Sequence, residues 1–142
     1  MTARQFVDTN VLLYSIGTDP SEAFKRERAQ EVLARGDCAL SVQVFQEFYV
    51  QATRTTRPDP LPHDIAVGLI DAWMRFPVQE TTLTLLANAL TIKARHELSF
   101  WDSAIVAAAR ALGCRKLYSE DFGHGRTIEG VAIVNPFFKA RS

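Results

Sequence analysis

Four acidic residues in this 142-residue chain stand at the ends or starts of apolar segments. They are Asp8 in FVDTN, Glu47 in FQEFY, Asp102 in FWDSA and Asp121 in YSEDF. A carboxylate in apolar surroundings must be paired, hydrogen-bonded, protonated or bound to a metal. If the fold brings these four together, a hard divalent cation is the natural way to keep them ionised. The pattern therefore predicts a metal-dependent enzyme acting on phosphate esters.

Each acid also has a more ordinary explanation. Asp8 could cap the turn after a strand, and Glu47 could form an ion pair with Arg54. Asp102 could simply stabilise a helix N-terminus, although Ser99 is better placed to be the cap. For the fourth position, Glu120 competes with Asp121, and the choice between them stays open.

The elements that must position these acids alternate along the chain. The patterns predict strands at 5–7, 39–42, 78–80, 116–119 and 131–134, and helices at 21–35, 44–54, 64–76, 83–95 and 100–112. Ser21 is a predicted N-cap, and Gly36 and Gly113 are predicted helix stops. The proline-rich segment 57–62 is expected to be a loop between helices, so that residues 1–142 form a single domain.

Strands alternating with helices predict an α/β fold with a mainly parallel sheet covered on both faces. In such sheets, sites form at the carboxyl ends of strands near a topological switch point. Asp8 and Asp121 follow the first and fourth predicted strands, Glu47 lies early in the helix after the second, and Asp102 opens a helix. We therefore expect all four to face one crevice, with Trp101 as a possible wall.

The composition limits the function classes. The chain has 16 basic and 16 acidic residues, which argues against a simple electrostatic nucleic-acid binder. If the four site acids are set aside, the remaining residues include 16 basic and 12 acidic ones and carry a net positive charge. An acidic centre within a mildly basic surface is compatible with a nucleic-acid substrate. Arg54 and Arg57, which follow the Glu47 helix, are the basic residues given most weight for RNA binding.

Other chemistries lack their motifs. The three histidines show no zinc-ligand spacing, and no phosphate-binding glycine loop occurs. The two cysteines, Cys38 and Cys114, are expected to be reduced core residues. No apolar run approaches the roughly 18 residues of a membrane span, and the N-terminus does not have the pattern of a secretory signal. The expectation is a cytoplasmic protein.

With these residues in view, the chain resembles the PilT N-terminus (PIN) domain family, and within it the VapC-like toxins of bacterial toxin–antitoxin pairs. The segments that carry the resemblance are VDTNVLLY, SVQVFQEFYV, LSFWDSAIVAAA and YSEDFGHG. They place the family's acids at Asp8, Glu47, Asp102 and Asp121. The resemblance runs from Phe6 to about Pro136, nearly the whole chain.

The resemblance implies a three-layer α/β/α sandwich and cleavage of RNA that depends on Mg²⁺ or Mn²⁺. It also implies a homodimer held inactive by a cognate antitoxin whose tail occupies the groove near the acids. Oxygen ligands without His or Cys agree with the metal, which would activate a water for in-line attack on a phosphodiester.

Within this scheme, Asp8 and Asp102 are the expected metal ligands, direct or through water. Glu47 and Asp121 would complete the shell or position the water, and Asn10 and Ser119 would supply supporting hydrogen bonds.

Two other functions stay open. An aspartate-nucleophile phosphatase would need a second Asp two residues after Asp8, where this chain has Asn10. A non-catalytic protein that binds RNA or a protein partner would have no need to retain all four acids.

Overall fold

The protein is described by a computed structural model that covers residues 4–139. Within that range the strands are β1 (Gln5–Val7), β2 (Cys38–Ser41), β3 (Val78–Gln79), β4 (Lys116–Tyr118), β5 (Thr127–Ile128) and β6 (Val131–Val134). The helices are α1 (Thr9–Ser15), α2 (Ala23–Ala34), α3 (Val42–Thr53), α4 (His63–Trp73), α5 (Leu83–Arg95) and α6 (Phe100–Ala111). A short 3-10 turn, Pro20–Glu22, precedes α2.

The strands form one sheet in the order β3-β2-β1-β4-β6-β5. Neighbouring strands run parallel, except that β5 and β6 form an antiparallel pair. Phe6 of the central strand β1 lies opposite Ala39 of β2 and Leu117 of β4. The chain builds one side of the sheet through β2 and β3 and then crosses to the other side of β1 with β4. The order therefore reverses between β1 and β4, which is where a crevice opens in such sheets.

Both faces of the sheet are covered. Successive residues of a strand point to opposite faces, and Phe6 and Val7 are both fully buried, as is every residue of β2. A parallel sheet buried on both faces requires helices on each side. The predicted α/β fold, a three-layer α/β/α sandwich with a central mainly parallel sheet, is confirmed, whereas a single domain over residues 1–142 stays a prediction.

The sequence patterns do not predict α1 and β5. Helix α1 is only seven residues long, and its buried residues Val11 and Leu12 make too short a run to show a helical period. Strand β5 has two residues and pairs only with β6. Both segments lie next to residues typical of loops, so neither stands out in the sequence pattern as a helix or a strand.

The predicted start of α2 is wrong. Ser21 lies within the 3-10 turn, which Asp19 caps by accepting a hydrogen bond from the Ser21 backbone N at 2.9 Å. The N-cap residue of α2 is Glu22, whose side chain makes no capping bond. Helix α2 then begins at Ala23. Phe24, which the helical pattern placed beside the core residues Val32 and Leu33, is 39% exposed.

Other helix boundaries agree more closely. Ser99 caps α6 as predicted, accepting from the Asp102 backbone N at 3.0 Å. Gly36 and Gly113 follow α2 and α6 with φ of 80° and 72°, the left-handed conformation typical of helix stops. Strand β2 begins and ends one residue earlier than predicted, and its last residue, Ser41, is also the N-cap of α3. Helix α4 ends at Trp73 rather than at residue 76.

The cysteines are free and buried, as predicted. Burial raises the pKa of the Cys38 thiol to about 12 and that of the Cys114 thiol to about 11, so neither is a ready nucleophile. No helix within residues 4–139 combines the length and apolar character needed to cross a lipid bilayer.

Helix α3, which carries Glu47, is held by one large aromatic contact. Phe48 is fully buried and packs edge-on against Trp73 of α4, with ring centroids 4.9 Å apart. We predict that Phe48→Ala lowers the free energy of unfolding by about 3–5 kcal/mol, since it removes a buried ring and leaves a cavity. Urea denaturation would measure the change.

The matched control is Val50→Ala on the same helix, where the side chain is 62% exposed. It should change the free energy of unfolding by less than about 0.5 kcal/mol. Equal effects of the two substitutions would contradict the assignment of Phe48 to the core.

Candidate active site

A cavity of about 390 Å³ opens at the carboxyl ends of the central strands, where the strand order reverses. The acidic residues that line it are Asp8, Glu22, Glu47, Asp102, Glu120 and Asp121. Among the described residues, Arg57 is the one basic residue in the lining. The fold thus brings the four predicted site acids to one cavity, together with two further carboxylates.

Asp8 is the most deeply placed of these acids, with only 6% of its surface exposed. Its Oδ1 accepts from the backbone N of Thr9 at 2.8 Å and thereby caps α1. Its Oδ2 accepts from the Ser119 hydroxyl at 2.7 Å. Burial raises the pKa of Asp8 to about 7, against the lowering effect of these two donors, and the charges of Glu47 and Asp121 raise it further.

Asn10 connects the acids that follow β1 and β4. Its Nδ2 donates to the Ser119 hydroxyl and to Asp121 Oδ2, each at 3.1 Å, and lies 3.5 Å from Asp8 Oδ2. The Asp121 backbone N also donates to the Ser119 hydroxyl at 3.1 Å. Asn10 and Ser119 therefore fix Asp8 and Asp121 relative to each other, while their support of a bound metal stays a prediction.

Glu47 does not form the ion pair with Arg54 that was its ordinary alternative. Its Oε2 accepts from the Thr9 hydroxyl at 2.7 Å, and its Oε1 accepts from Gln43 Nε2 at 2.8 Å. Gln43 Nε2 also donates to the backbone carbonyl of Trp101 at 3.2 Å. This chain of contacts ties α1, α3 and α6 together around the cavity. Sequence reasoning missed Thr9, although it stands inside the Asp-Thr-Asn segment.

Asp102 lies in the first turn of α6 and is partly buried. Burial raises the pKa of its carboxyl; Ser99 lowers it in part, and the charges of Asp121 and Glu47 raise it further. Asp102 and Asp8 thus share the same electrostatic situation: each carboxylate feels other carboxylates across the cavity. Both would gain from a cation placed among them.

Glu120 and Asp121 are neighbours with different environments. Glu120 Oε1 accepts from the Tyr14 hydroxyl at 2.6 Å, and its Oε2 forms a salt bridge with Lys25 Nζ at 3.1 Å. Asp121 instead joins Asn10 and the Asp8 cluster. The lysine neutralises Glu120, which leaves Asp121 as the acid that adds charge to the cluster. The geometry favours Asp121 as the fourth site acid.

Two basic residues were predicted near the site, and the structure separates them. Arg57 lines the cavity, and its Nε is buried without a hydrogen-bond partner among the described residues. Arg54, the C-cap of α3, is exposed and does not line it. Glu22 also lines the cavity, but it gives no sequence signal, because it stands in a charged surface segment.

The donor set suits a hard divalent cation. The side chains that line the cavity offer carboxylate, hydroxyl and amide oxygens and no His or Cys, which is the ligand chemistry of Mg²⁺ and Mn²⁺. Within residues 4–139, however, no group of three or more His, Cys, Asp or Glu side chains is arranged to hold an ion directly. Mg²⁺ usually keeps several waters and takes only one or two carboxylates. The residues therefore fit a largely hydrated ion.

The model of the PIN domain family matches residues 6–128. A comparison with curated proteins found no match.

Solved structures with a similar fold include VapC20 from Mycobacterium tuberculosis, a Sarcin-Ricin loop cleaving toxin, with a TM-score of 0.65 and 22% identity over 83% of this chain and 90% of that one. A toxin–antitoxin complex from Klebsiella pneumoniae has a TM-score of 0.69 and 18% sequence identity, over 95% of this chain and 98% of that one. FitAB bound to the IR36 DNA fragment has a TM-score of 0.71 and 18% sequence identity, over 96% of this chain and 98% of that one. At these identities the likeness concerns the fold alone.

The burial of Asp8 leads to a prediction about stability in the absence of metal. The pKa of Asp8 is about 7 in the folded protein against an ordinary value of 3.8. Between these values the folded state holds a proton that the unfolded state has lost, so the free energy of unfolding falls as pH rises from about 4 to about 7. Asp8→Asn, which cannot ionise, should therefore be more stable than wild type at pH 8, on the order of 4 kcal/mol, since a shift of about three pKa units at 1.36 kcal/mol each is removed.

Thermal and urea unfolding in chelator, at pH 5 and pH 8, would test this, with the exposed Asp71→Asn as control. The stability gain of Asp8→Asn should be larger at pH 8 than at pH 5. A loss of stability at pH 8 would mean that the hydrogen bonds to the Asp8 carboxylate outweigh the cost of burying its charge.

Proposed function

Since the chain belongs to the PIN domain family, we propose that it is a metal-dependent endoribonuclease and the toxin of a toxin–antitoxin pair. One observation carries the proposal. None of the salt-bridge contacts formed among residues 4–139 includes Asp8, Glu47, Asp102 or Asp121, although all four line one cavity. Uncompensated carboxylates are costly to gather at the switch point of the sheet unless a cation joins them.

Asp8 and Asp102 are the residues proposed to hold Mg²⁺ or Mn²⁺, directly or through water. When bound, such an ion supplies positive charge that stabilises a phosphodiester transition state and lowers the pKa of a water. Where the Asp8 carboxyl is protonated, its proton would have to pass to solvent before an ion binds, because a protonated carboxyl is a poor ligand. The hydrogen bonds from Thr9 and Ser119 favour the ionised form.

The other polar residues position groups around this centre. The hydroxyl of Thr9 and the amide of Gln43 fix the two Glu47 oxygens, so this carboxylate can orient a water without changing rotamer. Asn10 holds Asp121, which is exposed and can accept a hydrogen bond from an attacking water. Preorganised groups of this kind lower the cost of reaching the transition state.

Arg57 is proposed to bind a phosphate of the RNA. It lines the acidic cavity yet makes no salt bridge with another described residue, and its buried Nε has no partner there. A guanidinium in this situation is suited to bidentate recognition of a phosphate. Arg54, which lies outside the cavity, would at most contact RNA beyond it.

The proposed partners rest on similarity. The solved structures of similar fold include a toxin–antitoxin complex and a DNA-bound VapBC complex, which supports a cognate antitoxin as partner. Its tail is proposed to occupy the groove near the acids. A homodimer, a cytoplasmic location and a single domain over residues 1–142 complete the proposal. The free, buried cysteines agree with a reducing compartment.

RNA cleavage is the direct test. Purified protein should cut total bacterial RNA at mapped sites in Mg²⁺ or Mn²⁺, and chelator should abolish the cleavage. Asp8→Asn and Asp102→Asn should each lower the rate by at least about 100-fold, more than the loss typical of a residue that only supports a ligand. Asp71→Asn, on the exposed side of α4, should cleave like wild type.

Cleavage that survives chelator, or that is unchanged in both variants, would end the metal-nuclease proposal. Tight RNA or protein binding without cleavage would favour a non-catalytic protein.

The neighbouring acids Glu120 and Asp121 allow a sharper comparison. Asp121→Asn should lower the cleavage rate by about 10–100-fold, since it removes a charge from the cluster beside Asn10. Glu120→Gln should cleave close to the wild-type rate, because its charge is already neutralised by Lys25. Steady-state kinetics on one mapped RNA site would measure both. The reverse order of effects would make Glu120 the fourth site acid.

A further inference from the structure

A second cavity of about 360 Å³ adjoins the acidic one. Its lining residues are Gln43, Gln46, Glu47, Val50, Gln51 and Trp101. Glu47 and Gln51 line both cavities, so the two spaces share a wall on α3. The proposed nuclease site does not use this second space.

The chemistry of the second cavity differs from that of the first. It contains no basic residue and one carboxylate, together with three side-chain amides and an indole. Such a lining suits a neutral, planar, polar group and not a phosphate. Amides can donate to and accept from the edge of such a group, and an aromatic ring stacks on its face.

Trp101 is the aromatic surface. Its side chain is 64% exposed, whereas the other tryptophan, Trp73, is 6% exposed. The ring is supported edge-on by Phe100, with centroids 5.1 Å apart, and the backbone carbonyl of Trp101 accepts from Gln43. The indole is therefore held in place while most of its surface remains open to a ligand.

We propose that this cavity binds one base of single-stranded RNA, stacked on Trp101, next to the phosphate that the acidic cavity receives. The inference rests on the proposed nuclease function and names a substrate subsite for it. Continuity through Glu47 and Gln51 places a base within reach of the cavity when its own or a neighbouring phosphate lies among the acids. Gln43 donates to Glu47 Oε1 and to the backbone carbonyl of Trp101, so this contact between the two cavities does not depend on the indole ring.

Kinetics on a short RNA that contains one mapped cleavage site would test the subsite. Trp101→Ala should raise KM about tenfold, the scale of one base–aromatic stack, with kcat unchanged. Trp101→Phe should recover most of the affinity, since a phenyl ring still stacks. Met74→Ala, which removes a side chain of similar exposure that lines neither cavity, should match wild type.

A substrate series separates a direct contact from a structural effect. Each RNA in the series has a single abasic nucleotide, at a different position near the cleavage site. One such position should raise KM for wild type but have no further effect on Trp101→Ala. In the inactive Asp8→Asn variant, the intact RNA should quench the fluorescence of the exposed tryptophan, and the RNA with that abasic position should not.

Each other result contradicts the subsite. If wild type cleaves RNA while Trp101→Ala keeps its KM, or keeps the same abasic penalty, the subsite is wrong and the nuclease function stands. If wild type neither cleaves nor binds any RNA, both proposals fail. If Trp101→Ala changes the oligomeric state and not the abasic penalty, the surface serves a protein interface instead.

Discussion

The structure depends on a conflict between burial and charge at the carboxyl ends of β1 and β4. Asp8 is almost fully buried, and its neighbours across the cavity carry the same charge, so its ionised form is costly. The protein offsets part of this cost with a backbone N–H and the Ser119 hydroxyl. It leaves the rest uncompensated, because none of the ion pairs among residues 4–139 reaches the four acids. Destabilisation of this kind is typical of sites built for a ligand.

The parallel sheet makes this arrangement possible. Reversal of the strand order between β1 and β4 leaves a crevice that no crossover helix fills. Short strands then deliver Asp8 and Ser119 to the same edge, and the N-terminal halves of α3 and α6 bring Glu47 and Asp102 from either side. The caps Ser41 and Ser99 set where those helices begin, so the caps determine which turn faces the crevice. The positions of the four acids therefore follow from where the strands end and where the helices begin.

Much of this was accessible from sequence, and the failures have physical causes. The convergence of the four acids on one cavity could be predicted, because Asp8 and Asp121 follow predicted strands while Glu47 and Asp102 lie near the starts of predicted helices. Their roles, and those of Asn10 and Ser119, stay predictions. Helix α1 could not be predicted, since seven residues make too few turns to show a period. Lys25 gave no signal either: its partner Glu120 lies 95 positions away, and only the fold shows that Lys25 distinguishes Glu120 from Asp121. Pairing over such a separation is a tertiary property, and propensity cannot reveal it.

If the chain is the metal-dependent nuclease proposed above, the same electrostatics would couple metal binding to RNA binding. RNA carries negative charge, and the cavity presents six carboxylates against Arg57 and the Lys25 that pairs with Glu120. A phosphate cannot enter this field favourably until a cation has reduced it. Linkage then requires that RNA, by adding negative charge beside the ion, strengthen metal binding by the same factor by which metal strengthens RNA binding. In the proposed nuclease, a site that is weak for each ligand alone would therefore be strong for the two together, and the unpaired acids would favour RNA binding where the metal is bound.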